Sequence, residues 1–308
     1  MVQREVYRRL PEYGVEIEPL RTRDVGSGRL ARLVGLIIGL LPRRLNTDAY
    51  LSAATPFPLW VPRPAVSFVY DLRWLRTRGT VSRRYRDWDL RRTVRKSHAL
   101  LCISDRTASD LLEHMPSAGP KIRVVDLGPG QVSRIASAPS ESAKVLLMGG
   151  ARHKRNEEAA QALVASGATW FSTIVGVNVS PAVRQVLESH FGPGRCEWHE
   201  RLSVPELLSV YGDIGYFMHL GVDEGFGLPY IEALRAGATV IAVDQPLTRS
   251  VLEDAAVLLQ DGEVSDIAAQ LSSIPEVSWT SRLRVASKYS WSATTEQVAC
   301  ALLSAVGR

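Results

Sequence analysis

Short apolar runs bounded by turn residues recur along this chain, separated by helical patterns rather than by two-residue hairpin turns. Val66 to Tyr70 and Ala99 to Ile103 read as buried strands, and Ile122 to Val125 as a third. Between the first two lies an Arg-rich stretch, Val81 to Lys96, whose expected inward contacts as a helix are Tyr85, Trp88 and Val94. Ser104 is placed to cap a helix running to about His114. Strands that alternate with helices pair in parallel through crossovers, which restricts the chain to the α/β class.

Gly128-Pro129-Gly130 interrupts this pattern, and Gln131 to Ala143 is a Ser/Ala/Pro stretch without periodicity, read as an interdomain linker. A first domain over residues 1–135 and a second over 136–308 follow, in keeping with 308 residues and roughly 100–200 per domain. The second series runs strand Val145 to Met148, helix Glu157 to Ala165, strand Thr173 to Val177 and helix Pro181 to His190. Ser203-Val204-Pro205-Glu206 is a capping box opening a helix to about Tyr211. Strand Ile214 to Met218, a glycine-rich turn, helix Pro229 to Ala236 and strand Thr239 to Val243 come next, and a helix after Ser292 closes the chain.

With 45% hydrophobic and 22% charged residues, the composition excludes a largely disordered or collagen-like chain. Cys102, Cys196 and Cys300 lie far apart, without zinc-ligand spacing or a disulfide framework, as in a reduced cytoplasmic protein. No secretory signal is visible. The longest apolar run, Leu33 to Leu41, is nine residues, against the roughly 20 that a membrane-spanning helix needs. The net charge of +5 is unevenly spread: residues 1–135 carry 24 Lys+Arg against 13 Asp+Glu, and the remainder 13 against 19. A basic first half suits an anionic partner, and arginine enrichment alone would also produce it.

The informative segment is the glycine turn from Asp223 to Gly237, DEGFGLPYIEALRAG. A strand feeds a turn that opens a helix, with Pro229 suited to the first helical position and Gly237 to the position past its end. Glycines let backbone N–H groups approach a ligand closely, and a helix N-terminus adds partial positive charge, so such a junction binds phosphate. Two carboxylates flank the same turn, Glu224 and Glu232. Carboxylates repel phosphate but accept hydrogen bonds from hydroxyls, which sugars and ribose offer.

EGFGLPYIEALRAG resembles the Glu-x7-Glu donor motif of the retaining family 4 glycosyltransferases, whose GT-B fold has two Rossmann-like domains facing across a cleft and a C-terminal helix packing back towards the first. VLLMGG with Lys154-Arg155-Asn156 is similar to the strand and basic turn opening that family's second domain. LSVPELLSVYGDIGYFMH and YSWSATTEQVACAL resemble its helix and strand before the motif and its closing Trp-containing helix. VSFVYDLRWL, LLCISDRTASDLL and KIRVVDLGPG fall in the family's order, so the likeness covers most of the chain from about residue 60. It implies a transferase moving a sugar from a nucleotide-diphosphate donor to an acceptor hydroxyl, with no cofactor and no metal.

By that resemblance Glu224 holds hydroxyls of the donor sugar and Glu232 the ribose. Gly149, Gly150, Asn156, Gly225, Phe226, Gly227 and Leu228 line the donor site, and the basic turn neutralises the departing diphosphate. Arg152, Lys154 and Arg155 are all candidates for that charge, the family's Arg-Lys order being exchanged if it aligns on Lys154-Arg155. Where the family has His-Asp-Leu, this chain has Tyr70-Asp71-Leu72. A phenol cannot serve as an imidazole at neutral pH, so the role is altered or activity is impaired. The given sequence opens with a helical pattern at Met1, where the family usually begins with a strand and a glycine turn.

Other motifs carry less. Asp87-Trp88-Asp89 resembles a metal-binding Asp-x-Asp but sits within Arg-rich helix, as a solvated face would. His219, at a strand end beside the glycine turn, is the one histidine placed near the site. No nucleic-acid module is present. Arg29 to Arg44 combines an apolar segment with basic ends, and reads either as an interfacial helix on an anionic membrane or as a core helix with solvated arginines. The membrane reading implies a lipid-linked saccharide or phospholipid as acceptor, rather than a soluble one, and a peripheral place on the inner face of the cell membrane. A catalytically weak GT-B relative kept as a binding or scaffold protein is the alternative to an enzyme.

Overall fold

The computed structural model describes residues 2–17, 47–52, 64–75, 80–222 and 224–307. The chain forms two compact units, one of residues 1–128 with 291–308, the other of residues 129–290. Arg29 to Arg44 lie outside the described residues.

The first unit opens with α1 (Val2–Arg9). Its sheet has four parallel strands in sequence order, β1 (Tyr50–Ser52), β2 (Ala65–Val69), β3 (Ser97–Cys102) and β4 (Ile122–Val124). Helix α2 (Thr80–Lys96) connects β2 to β3, and α3 (Asp105–His114) follows β3, capped by Ser104 as expected. Leu90 and Val94 of α2 and Leu111 of α3 meet Val69, Leu100 and Cys102 in one apolar cluster. Val94 is therefore an inward contact, but Tyr85 and Trp88 are not: they are exposed, and Asp89, Leu90 and Thr93 are buried. At about 100° per residue, positions 85 and 88 fall on the face opposite 90 and 94.

In the second unit, β5 (Lys144–Met148), α4 (Asn156–Ser166), β6 (Thr173–Val177), α5 (Pro181–Phe191), β7 (Cys196–His199) and α6 (Val204–Asp213) form the first half. The second half holds β8 (Tyr216–His219), α7 (Leu228–Arg235), β9 (Thr239–Val243), α8 (Pro246–Leu252), β10 (Ala256–Leu259), α9 (Val264–Leu271) and α10 (Trp279–Lys288). The six strands are parallel in the order β10-β9-β8-β5-β6-β7. Strand order reverses at the β5–β8 neighbours, and in doubly wound sheets ligands bind beyond the carboxyl ends of the strands at that point. Both sheets have the parallel pairing that the alternation of elements implies, and the units are two Rossmann-like domains.

Residues 131–143, aperiodic in sequence, are strapped along α7. The buried Arg235 guanidinium donates to the carbonyls of Val132 (2.8 Å), Ser133, Ala286 (2.9 Å) and Tyr289 (3.3 Å). Ala136 N–H bonds Arg235 O at 2.7 Å, and Ser140 N–H bonds Gly237 O at 2.9 Å. The last helix, α11 (Trp291–Ala305), lies with the first unit, where Thr294 donates to Asp126 O at 2.7 Å and Tyr13 to Ser292 O at 3.1 Å.

Candidate functional site

The loops after β5 and β8 meet at the switch point. Gly149 follows β5 with φ +96°, and a 3-10 turn over Arg152–Lys154 leads through Arg155, φ +54°, into α4. The Asn156 amide donates to Gly149 O, which ties the helix start to the strand end. A Cβ at Gly149 would stand 3.3 Å from the Lys154 stem, and one at Gly150 would stand 2.9 Å from Asn178 O, so both glycines make room for this fold-back.

On the other side, β8 ends at His219 and the chain turns through Gly225 and Phe226 to Gly227, φ +86°, which opens α7. Gly227 lies against the buried Tyr230 ring, where a Cβ would approach to 2.3 Å. Phe226 is buried and meets Tyr289 edge-on at 5.5 Å. Gly225 and Leu228 are half-buried.

Glu224 joins the two loops. Lys154 Nζ pairs with its Oε1, and His219 Nε2 lies 3.1 Å from the same oxygen. The Glu224 side chain is 12% exposed. Burial alone would raise its carboxyl, but the His219 hydrogen bond and the charge and hydrogen bond of Lys154 bring it down to about 2. His219 is itself buried, and desolvation holds its pKa below the usual value, against the smaller upward pull of Glu224. A neutral imidazole then donates from Nε2 to Glu224, and Nδ1 is buried with no hydrogen-bond partner among the described residues. The site therefore presents an ionised carboxylate and a lysine at a helix N-terminus, which suits sugar hydroxyls beside an anionic phosphate.

The other sequence candidates fall differently. Arg155 pairs with Glu158 and, at 2.7 Å, with Asp261, so its fork is engaged away from Glu224. Arg152 is exposed on the turn. Glu232 is buried within α7, its Oε1 accepting the Gln131 N–H at 2.7 Å and its Oε2 the Tyr211 hydroxyl at 2.8 Å. Burial raises its carboxyl, partly offset by these two bonds.

In the first unit, Tyr70 follows β2 and stacks on Phe68 at 5.6 Å, and burial pushes its phenol up. Asp71 accepts the Arg73 N–H at 3.2 Å in a local turn. The Asp-x-Asp of α2 does not form the solvated face expected of it. Asp87 is engaged by Arg91 at 2.8 Å and His114 at 2.6 Å, and Asp89 is buried.

Three partners of the site have weak sequence signals. His219 stood out only by its place beside the motif. Gly130, where a Cβ would come within 2.0 Å of Glu232 Oε1, was visible only as part of a chain break. Tyr211 had no signal, because its partner lies 21 residues away.

Residues 135–286 match the family model of glycosyl transferases group 1. No curated protein sequence matches the chain. Among solved structures, a glycosyltransferase from Rickettsia africae is similar at 13% identity and TM-score 0.66, over 99% of this chain and 94% of that one. Anabaena HepE in complex with UDP and glucose is similar at 14% identity and TM-score 0.62, over 79% of this chain and 72% of that one. The pneumococcal O-GlcNAc transferase GtfA in complex with UDP and GlcNAc is similar at 12% identity and TM-score 0.61, over 80% of this chain. The matched part spans 53% of the pneumococcal protein, about half its length. At these identities the structural likeness bears on the fold. The likeness to group 1 glycosyl transferases thus lies in residues 135–286, and the two-sheet architecture is the GT-B fold.

Proposed function

We propose that this chain is a retaining, metal-independent glycosyltransferase of family 4 that moves a hexose from a nucleotide-diphosphate sugar to an acceptor hydroxyl, in the synthesis of a cell-surface glycan or glycolipid. The observation that carries the reading is Glu224, held ionised between Lys154 and His219 at the mouth of the glycine turn that opens α7. Its carboxylate accepts hydroxyls of the donor sugar, and the Phe226, Gly227 and Leu228 N–H groups lie where a diphosphate would meet the helix N-terminus. As the bond from the anomeric carbon to the diphosphate breaks, negative charge grows on the leaving group, and Lys154 with the helix end stabilises it. Arg152, exposed on the same turn, adds positive potential, whereas Arg155 is already paired with Glu158 and Asp261. Glu232 serves the ribose end, with its carboxylate shared by Gln131 and Tyr211. Tyr70 and Asp71 act from the first unit, which takes a saccharide or lipid-linked acceptor, and the enzyme works in the cytoplasm or on the inner face of the membrane.

A second reading is favoured by Tyr70, a half-buried phenol where the resembled family has histidine: a GT-B relative with weak or no turnover that acts as a binding partner. Donor hydrolysis and nucleotide binding across UDP, GDP, ADP and dTDP sugars separate the two. UDP sugars come first, because two of the similar structures hold UDP beside a sugar. Turnover that Glu224→Gln abolishes supports the enzyme. Nucleotide binding without turnover supports the binding protein, and no binding to any of the four rejects the donor site.

A further inference from the structure

Arg84, Trp88, Arg91 and Arg95 follow one another at helical spacing along α2 and form a single exposed stripe, with Tyr85 beside it. Trp88 is 47% exposed and Tyr85 46%, their rings 6.1 Å apart and tilted by 32°. Large aromatic side chains contribute to folding mainly by burial, and these two forgo about half of it while Leu90 and Val94 supply the inward face. The helix holds seven basic residues against two acidic ones. Asp87 offsets Arg91 of the stripe, which it pairs with at 2.8 Å while also meeting His114, and Asp89 is buried, so the stripe's charge rests on Arg84 and Arg95.

We propose that this face of α2 docks on an anionic lipid bilayer. A stripe from position 84 to 95 is about 16 Å long at 1.5 Å per residue, and it is convex, as contact with a planar surface requires. Arginine forks match lipid phosphates, and tryptophan and tyrosine settle at headgroup depth with their polar edges in water. Base stacking, which a nucleic acid would use, needs an open ring face. One face of Trp88 is already covered by the Arg92 guanidinium, 4.9 Å from the ring centre. The inference concerns the surface of the first unit and does not depend on sugar transfer. A chain that binds vesicles without turnover leaves it standing, and one that transfers sugar without binding them does not.

The test is co-sedimentation of the full chain with vesicles of phosphatidylcholine alone or mixed with phosphatidylglycerol, with no donor or acceptor present. Binding is expected to the mixed vesicles only, and to fall as salt rises. Arg84→Gln combined with Arg95→Gln should weaken it about twenty-five-fold, at roughly fivefold for each arginine removed from an anionic surface. Trp88→Ala should weaken it several-fold with the salt dependence unchanged. Equal binding to both vesicles, binding that neither variant alters, binding lost only on neutralising Arg43 and Arg44, or firmer retention by a single-stranded oligonucleotide would each overturn the proposal. If a variant melts below the wild type, quenching by brominated lipid, compared between the wild type and Trp88→Phe, decides instead. A quenching difference supports insertion of Trp88, and none overturns it.

Discussion

His219 Nε2 lies 3.1 Å from Oε1 of Glu224, so a buried imidazole at the end of β8 steadies the carboxylate that begins the glycine turn. Lys154 reaches the same oxygen from the β5 side. Two loops far apart in sequence thus hold one charged group, and each contact has a measurable consequence.

Removing the His219 bond takes away one of the interactions that bring Glu224 down to about 2. His219→Phe should therefore raise the Glu224 pKa towards its usual 4.5 and move the acid limb of donor turnover to higher pH. A pH–rate profile reads the shift, and an unmoved acid limb would separate His219 from Glu224.

The same depression makes Glu224 a source of pH-dependent stability. A carboxylate whose folded pKa lies below its unfolded value stabilises the protein above about pH 4.5, and this contribution is lost as pH falls towards about 2. Glu224→Gln should flatten that part of a curve of denaturation midpoint against pH.

Charge loss at the two ends of the basic turn should differ. Lys154→Met removes the cation facing Glu224 and should lower kcat/KM by about 10²–10³, the range for one preorganised group at developing charge. The Arg155 partners Glu158 and Asp261 are 44% and 49% exposed, so Arg155→Met should cost about 1 kcal/mol of stability or less, with a smaller loss of turnover. Steady-state kinetics on both variants check the order.

Gly130 has φ +59° and leaves no room for a side chain beside Glu232. Gly130→Ala should destabilise by about 2–4 kcal/mol, combining left-handed strain with loss of the Gln131–Glu232 bond. Urea denaturation measures this.

Tyr211→Phe strips one acceptor bond from a buried carboxylate, which should cost about 1–3 kcal/mol and raise the Glu232 pKa further. Glu232→Gln should in addition weaken nucleotide affinity, measurable by calorimetry. Unchanged affinity would remove the ribose role.

The parallel α/β class, the Ser104 cap, the capping box at Ser203 and the strand–turn–helix around Gly227 are legible in the sequence because each rests on residues within a few positions of one another. Glu224 as a candidate at the glycine turn is legible for the same reason, since the motif and its turn are contiguous. What needed tertiary structure is every choice between distant partners. Sequence leaves Arg152, Lys154 and Arg155 equivalent, and the reversal of strand order between β5 and β8 sets Lys154 against Glu224 while Arg155 turns to Asp261, 106 residues on. Periodicity in a helix as polar as α2 cannot say which way it faces, and packing against Leu100 and Cys102 selected Leu90 and Val94 over the larger Tyr85 and Trp88. Local patterns determine which elements form. The burial of one face rather than another, and the pairing of charges across loops, depend on energies that exist only once the sheet has brought those residues together.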